Sequence, residues 1–222
     1  MYARHRVFVP PLPAVMLASL LVAVPVSAQA PVDLAAQPYL LDTGLLSRSI
    51  SFENPTGAAG EGGKAASNLG VGRKGAPSRS IKPGETVLLC NIEGPGTIRH
   101  IWMTTRPIPK NLRSLVLRAW WDDQEHPSIE CPVADFFGIA HGIVKPYASA
   151  VHSVGQSAGM NIWLPMPFAR RARMSFTNEG DKDIPLYYQI DYTLGDKHPA
   201  DAGRLHALFR RENPTTEKRD FE

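Results

Sequence analysis

The chain has little with which to build a metal or redox centre. Cys90 and Cys131 are its two cysteines, and they do not form a C-x-x-C pair, which leaves no zinc framework and no thioredoxin-like motif. His100, His126, His141, His152, His198 and His206 are scattered, none at H-x-x-x-H or H-x-H spacing. No bound metal and no cofactor are expected. Past the N-terminal segment, no apolar run reaches the roughly 20 residues a helix needs to cross a bilayer. Long helical windows are scarce too, because 20 prolines and 18 glycines cut the chain into short pieces. A dense basic face is also missing. "ARRAR" (169–173) is the one basic run, and its plainest reading is a solvated strand end. Nucleic acid, which demands clustered positive charge, is therefore not an expected partner.

What is present begins with an address. Arg4 and Arg6 precede the apolar run Ala14–Val26, and small residues follow at Ser27 and Ala28. This predicts a secretory signal peptide over residues 1–28 and an exported protein, periplasmic or extracellular, with no membrane span after signal removal. Losing Arg4 and Arg6 takes the 24 basic residues to 22, against 21 acidic ones, so the mature chain is nearly neutral. In an oxidising compartment Cys90 and Cys131 are a possible disulfide. Two buried free thiols fit as well.

After a lead-in over 29–46, residues 47–211 read as one domain, followed by a tail over 212–222. Five segments carry strand patterns: Glu85–Ile92, Thr97–Thr105, Ser114–Trp121, Ala172–Asn178 and Leu186–Leu194. Alternation places Leu115, Leu117, Ala119 and Trp121 on one face, and Met174 with Phe176 on another. It turns Leu186, Tyr188, Ile190 and Tyr192 inward and Gln189 and Asp191 outward. Leu205–Arg211 suits a strand or a short helix. Short strands between turn signals predict an all-β fold, a jelly-roll β-sandwich of two packed sheets. The glycine-rich stretch 55–80 is a long loop within the domain, of the kind that usually serves a function or an interface.

Several motifs carry chemistry on paper. "GQSAG" (155–159) fits G-x-S-x-G with Ser157 as nucleophile and His198 or His206 as partner, but Pro165 and Pro167 follow where a helix is required. "GAAGEGGKA" (57–65) misses a phosphate-binding loop at Ala58 and Ala65. "DDQE" (122–125) offers oxygen ligands for calcium without the usual spacing. The densest signal is "WWDDQEHPSIECPVADFFG" (120–138). There Asp122, Asp123, Glu125, Glu130 and Asp135 crowd beside Trp120 and Trp121, and paired carboxylates with aromatics are what glycoside hydrolysis uses.

Longer segments carry a family resemblance: "SRSISFENPTG" (47–57), "GRKGAPSRSIKPGETVLL" (72–89), "IEGPGTIRHIWMT" (92–104), "LRAWWDDQEHPSIECPVADFFG" (117–138), "GMNIWLPMPFARRARMSFTNEG" (159–180), "YYQIDYTLG" (187–195) and "FRRENPTT" (209–216). Together they resemble the domain of unknown function 2961 family, whose characterised members founded glycoside hydrolase family 172. The resemblance implies tandem jelly rolls in one subunit and homo-oligomers, trimers or hexamers. It implies retaining action on furanosides, fructofuranosyl or arabinofuranosyl, by two glutamates of the second roll, with no cofactor. The chain corresponds to the first roll, and the second is expected to lie outside it. "PSIECPVADFFG" (127–138) looks like the first-roll counterpart of a catalytic segment. On that alignment Asp135 matches the family's aspartate and the catalytic glutamate falls on Ala134. No catalytic residue is therefore expected in this chain. Ser51, Glu53 and Asn54 stand where family members approach a sugar, with Glu53 in place of an aspartate, and are the expected substrate-binding residues. A stand-alone, non-catalytic carbohydrate-binding or assembly module is the alternative.

Overall fold

The computed structural model describes residues 39–40, 43–64, 75–105 and 109–219. The signal peptide expected over residues 1–28, residues 29–38 of the lead-in, residues 65–74 of the glycine-rich stretch and residues 220–222 of the tail lie outside the described residues.

Two sheets make up the fold. The larger is ordered β1-β12-β4-β9-β8-β7: β1 (Leu46–Ile50), β12 (Ile184–Leu194), β4 (Gly96–Thr104), β9 (Met160–Ile162), β8 (His152–Val154) and β7 (Tyr147–Ala148). β2 (Arg79–Ile81) pairs with one end of β12, and β10 (Met166–Phe168) with one end of β4. The smaller sheet runs β13-β6-β5-β11-β3: β13 (Ala207–Leu208), β6 (Ile129–Pro132), β5 (Leu115–Trp121), β11 (Arg171–Asn178) and β3 (Thr86–Glu93). Every pairing is antiparallel except β13 with β6. The all-β, two-sheet class expected from the sequence is what forms.

Alternation builds the core. Leu115, Leu117, Ala119 and Trp121 of β5 are fully buried, as are Met174 and Phe176 of β11. From the larger sheet, Ile101, Met103, Leu186 and Ile190 face them as part of one continuous cluster. The sheets are also stitched by polar bonds. The Tyr188 hydroxyl on β12 donates to the Leu89 carbonyl on β3 at 2.9 Å. Buried Asn178 donates to the Ile81 and Lys182 carbonyls at 2.9 and 2.8 Å, while its Oδ1 accepts from the Gly180 amide at 3.0 Å. A buried polar group satisfied in this way avoids the penalty of desolvation without a partner.

Three expectations are corrected. The cysteines are free and buried. Cys90 lies on β3 and Cys131 on β6, with β11 and β5 between them, and three strand spacings of about 4.8 Å each far exceed the roughly 7 Å between Cα atoms that a disulfide tolerates. Burial pushes both thiols up to about 12, so neither is a ready nucleophile. Secondly, the strand expected from Ser114 begins at Leu115, because Ser114 ends a helix, α1 (Pro109–Ser114), which proline can open because the first-turn amide has no helical partner. Thirdly, Leu205–Arg211 is neither a full strand nor a helix: only Ala207 and Leu208 join the sheet.

Candidate functional site

The outer face of the larger sheet gathers polar and aromatic side chains from five strands. Asp191 on β12 stands opposite His100 on β4 and Ser49 on β1. In the next row Gln189 stands opposite Trp102, Trp102 opposite Asn161 on β9, and Asn161 opposite Ser153 on β8. Their neighbours Ile190, Ile101 and Ile162 point into the core, so period-two alternation turns these residues outward.

They form a connected network. His100 Nδ1 lies 2.9 Å from Asp191 Oδ2, and its Nε2 lies 3.1 Å from Asn161 Oδ1. Asn161 Nδ2 donates to the Ser153 hydroxyl at 3.2 Å, and Gln189 Nε2 donates to Asp191 Oδ1 at 2.8 Å. Trp163, just past β9, stacks almost parallel on the His100 ring, at 5.2 Å and 12°. Its side chain is 45% exposed. The imidazole is thus held on both ring nitrogens and one face, and the indole is stacked on it while staying partly exposed. A flat aromatic surface beside fixed amide and carboxylate groups is chemically suited to a polyol ring, whose C–H face stacks and whose hydroxyls pair.

Ser51, Glu53 and Asn54 lie in the turn that follows β1, the edge strand of this sheet. Beyond Ile50 the chain turns back, with Ser51 and Asn54 exchanging backbone bonds at 3.3 and 3.1 Å. The Ser51 hydroxyl accepts from the Glu53 amide at 3.2 Å, and Asn54 Nδ2 donates to the Ala58 carbonyl at 3.0 Å. Phe52 packs edge-on against Tyr188 at 4.8 Å. Gly57 is buried at φ +67°, where a Cβ would collide with the Tyr192 hydroxyl and Ile50, so the turn has one compatible residue there. Ser51 and Asn54 therefore hold the turn together. Glu53 differs: its Oε1 is buried without a hydrogen-bond partner among the described residues. An orphan acceptor costs about 1–3 kcal/mol, which a hydroxyl donor from outside would recover.

The acid-rich stretch between β5 and β6 is architecture. Asp122 and Asp123 occupy a tight turn at φ 56° and 65°, with the Gln124 amide donating to the Trp121 carbonyl at 3.1 Å. Two positive φ values match the twist of a hairpin, and aspartate tolerates them better than most residues. Asp122 Oδ1 accepts the Ala169 and Arg170 amides at 2.8 and 2.7 Å, and Oδ2 accepts Arg204 Nε at 2.6 Å. Burial by itself raises the Asp122 carboxyl, but these donors outweigh it and hold the group below its ordinary range, the opposite of what a general acid needs. Arg171 pairs with Asp123 at 2.7 Å, Arg118 with Glu130 at 2.6 Å, and Arg113 with both oxygens of Asp135 at 3.1 and 2.8 Å. Ala134 is fully buried, and so is Trp121, whose Nε1 donates to the Leu205 carbonyl at 2.7 Å. Trp121 is thus unavailable for stacking, and Trp120 lies under Arg173.

The remaining motifs resolve as loops. Ser157 is exposed in the turn joining β8 to β9, closed by the Gly155 amide on the Gly159 carbonyl at 2.9 Å, and strand leads to strand rather than to a helix. His198, offered as its partner, instead has Nε2 2.9 Å from the Thr97 hydroxyl. Among the described residues no group of three His, Cys, Asp or Glu side chains is placed to hold a metal ion, and none of their helices is long and apolar enough to cross a membrane.

Alternation along β12 marks Gln189 and Asp191 as outward, but His100 stands isolated in sequence and nothing along the chain joins it to Trp102, Asn161 or Trp163. The available signal was the outward set of each strand, read across strands rather than along them. A search of curated proteins returns no match. A family model described as GH172 domain-like matches residues 74–189, from before β2 into β12. That is more than half of the 222 residues, and it contains the acid-rich hairpin and His100, Trp102, Ser153, Asn161, Trp163 and Gln189 of the sheet face, while leaving Asp191, Ser49, Ser51, Glu53 and Asn54 outside. The chain belongs to the GH172 domain-like family, a glycoside hydrolase family.

Proposed function

We propose that this chain is the first, non-catalytic jelly roll of an exported glycoside hydrolase acting on furanosides, fructofuranosyl or arabinofuranosyl. Hydrolysis in this reading belongs to a second roll, and the first roll holds sugar on the outer face of the larger sheet, with Glu53 in the turn that follows its edge strand β1. The observation that carries the reading is the state of the hairpin corresponding to a catalytic segment. Ala134, where a glutamate would act, is fully buried, and Asp135 beside it is clasped by Arg113 through two bonds. A retaining mechanism needs a proton donor and a nucleophile about 5 Å apart across one open site, and this hairpin supplies neither. Assembly into trimers or hexamers, as in the family, belongs to the same proposal.

The alternative of a stand-alone binding module shares the sugar face and differs in whether a catalytic roll works with it. The test is an assay of the purified protein on aryl α-arabinofuranosides and on a fructofuranosyl disaccharide, with binding followed in parallel. The expected result is saturable binding without turnover, with affinity reduced several-fold by Glu53→Gln. Turnover abolished by Glu53→Gln or Glu130→Gln would overturn the non-catalytic assignment.

A further inference from the structure

The outer face of the smaller sheet carries a separate feature. Asn91 on β3, Arg173 on β11 and Trp120 on β5 lie in one register row. Between this row and the β5–β6 turn is a cleft of about 410 Å³, lined also by Asp123, Gln124, Glu125 and Arg171. Pockets of roughly 300–1,000 Å³ with a few convergent polar groups are the usual form of a small-molecule site.

The two arginines of the cleft differ in one respect. Arg171 is saturated: it donates to Asp123 at 2.7 Å, to Asn91 at 3.2 Å and to Glu93 at 3.3 Å. Arg173 lies over the Trp120 ring, 4.1 Å from its centroid, and has no carboxylate partner among the described residues. The stack fixes the guanidinium plane while leaving its N–H edge unused. That edge is a fork of donors whose geometry matches a carboxylate through two parallel bonds.

The other lining groups extend the match. Asn91 Oδ1 is taken by Arg171 and Gln124 Oε1 by the Ser128 hydroxyl at 2.5 Å, so both amides have their NH₂ groups left to donate. Glu125 is exposed and without a partner among the described residues, leaving a carboxylate to accept. The cleft therefore offers one cationic fork, two amide donors and one anionic acceptor. A neutral sugar leaves the fork unmatched, and a bare anion leaves Glu125 facing like charge. We propose that this cleft binds a carboxylate-bearing sugar, a uronate, with its carboxylate on Arg173 and its hydroxyls donating to Glu125. The site lies on the opposite sheet from the furanoside face and stands independently of it.

The test is calorimetric titration of the purified protein with D-galacturonate, D-galactose and acetate. Galacturonate is expected to bind saturably and at least tenfold more tightly than either comparator. Arg173→Ala should weaken galacturonate at least tenfold. Arg173→Lys keeps the charge and loses the fork, and should weaken it by a smaller factor. Glu125→Gln, at an exposed position with no folding role, should weaken galacturonate several-fold and leave acetate unchanged. Galactose binding as well as galacturonate would overturn the proposal, and so would acetate doing so, since that is a bare anion site. If Arg173→Ala unfolds the protein, Arg173→Lys and Glu125→Gln decide, and unchanged galacturonate affinity in both sinks the idea.

Discussion

The hairpin over 120–138 and the outer face of the larger sheet are near opposites. The hairpin looks like chemistry in one dimension, with acids beside tryptophans in a single run. Folded, Asp122 grips backbone amides and Arg204, Glu130 meets Arg118, and Asp135 meets Arg113. The sheet face looks like nothing in one dimension, because His100, Trp102, Ser153, Asn161, Trp163, Gln189 and Asp191 span about 90 positions. Antiparallel register joins five of them by hydrogen bonds, stacks Trp163 on His100 and sets Trp102 between Gln189 and Asn161. In a β-sandwich, linear crowding of carboxylates is as likely to lock a turn as to cut a bond, while cross-strand rows assemble surfaces from distant residues.

The comparison breaks most sharply at Asp122. If this carboxylate is a structural clamp, Asp122→Ala frees the Ala169 and Arg170 amides and leaves Arg204 unpaired. Charge-assisted bonds of this kind contribute about 1.5–3 kcal/mol each, and because Asp122 is partly exposed the total loss should be about 3 kcal/mol. For a chain of this size that lowers Tm by roughly 6–12 °C, measurable by differential scanning calorimetry, with sugar binding intact below the transition. The pH dependence follows from the direction of the shift. The folded carboxyl lies below its ordinary value of 3.8, so its stabilisation is complete above that value and fades as pH falls through the lower, folded one. The stability gap between wild type and Asp122→Asn should be constant near neutrality and close below about pH 4. A gap that instead widens in acid would mean that the donors around Asp122 do not set its charge.

Gly57 sharpens the other side. Alanine there meets the Tyr192 hydroxyl and Ile50 at a φ that L-residues resist, a combination worth about 2–3 kcal/mol. Gly57→Ala should therefore lower Tm by roughly 4–12 °C and, by displacing the turn that carries Glu53, weaken sugar binding in the folded protein. Unchanged binding would detach the turn from the sheet face.

How much of this was legible in the sequence follows from distance along the chain. The inward sets of β5, β11 and β12 were readable, because alternation is local and burial at Leu117, Phe176 and Ile190 obeys it. The short strands β2, β6, β7, β8, β9, β10 and β13 were not, because two to four residues carry no period and exist only through their partners. Trp121 stands beside the carboxylates in sequence, yet its own strand pattern turns it inward, and burial follows the pattern. Arg113, which neutralises Asp135, sits 22 residues away on α1, and no spacing rule links the two. The site was illegible for the same reason: register is set by the whole sheet, and a single row of outward residues has no signature in sequence order.

The mildest perturbation separates the two regions most cleanly. Trp163 is 45% exposed and touches the fold through the His100 stack, so Trp163→Ala should change stability by no more than about 0.5–1 kcal/mol. If the sheet face is a sugar platform, losing the indole removes the stacking surface while the Asp191–His100–Asn161 network stays in place. Furanoside affinity should then fall about tenfold with Tm nearly unchanged. Trp163→Phe, which keeps an aromatic face, should recover part of the loss. The control is Trp120→Ala on the other sheet, which leaves Arg173 without its stack and should spare the furanoside. Equal loss in both variants would mean that the sugar does not distinguish the sheets, and the larger sheet would then have no claim to the site.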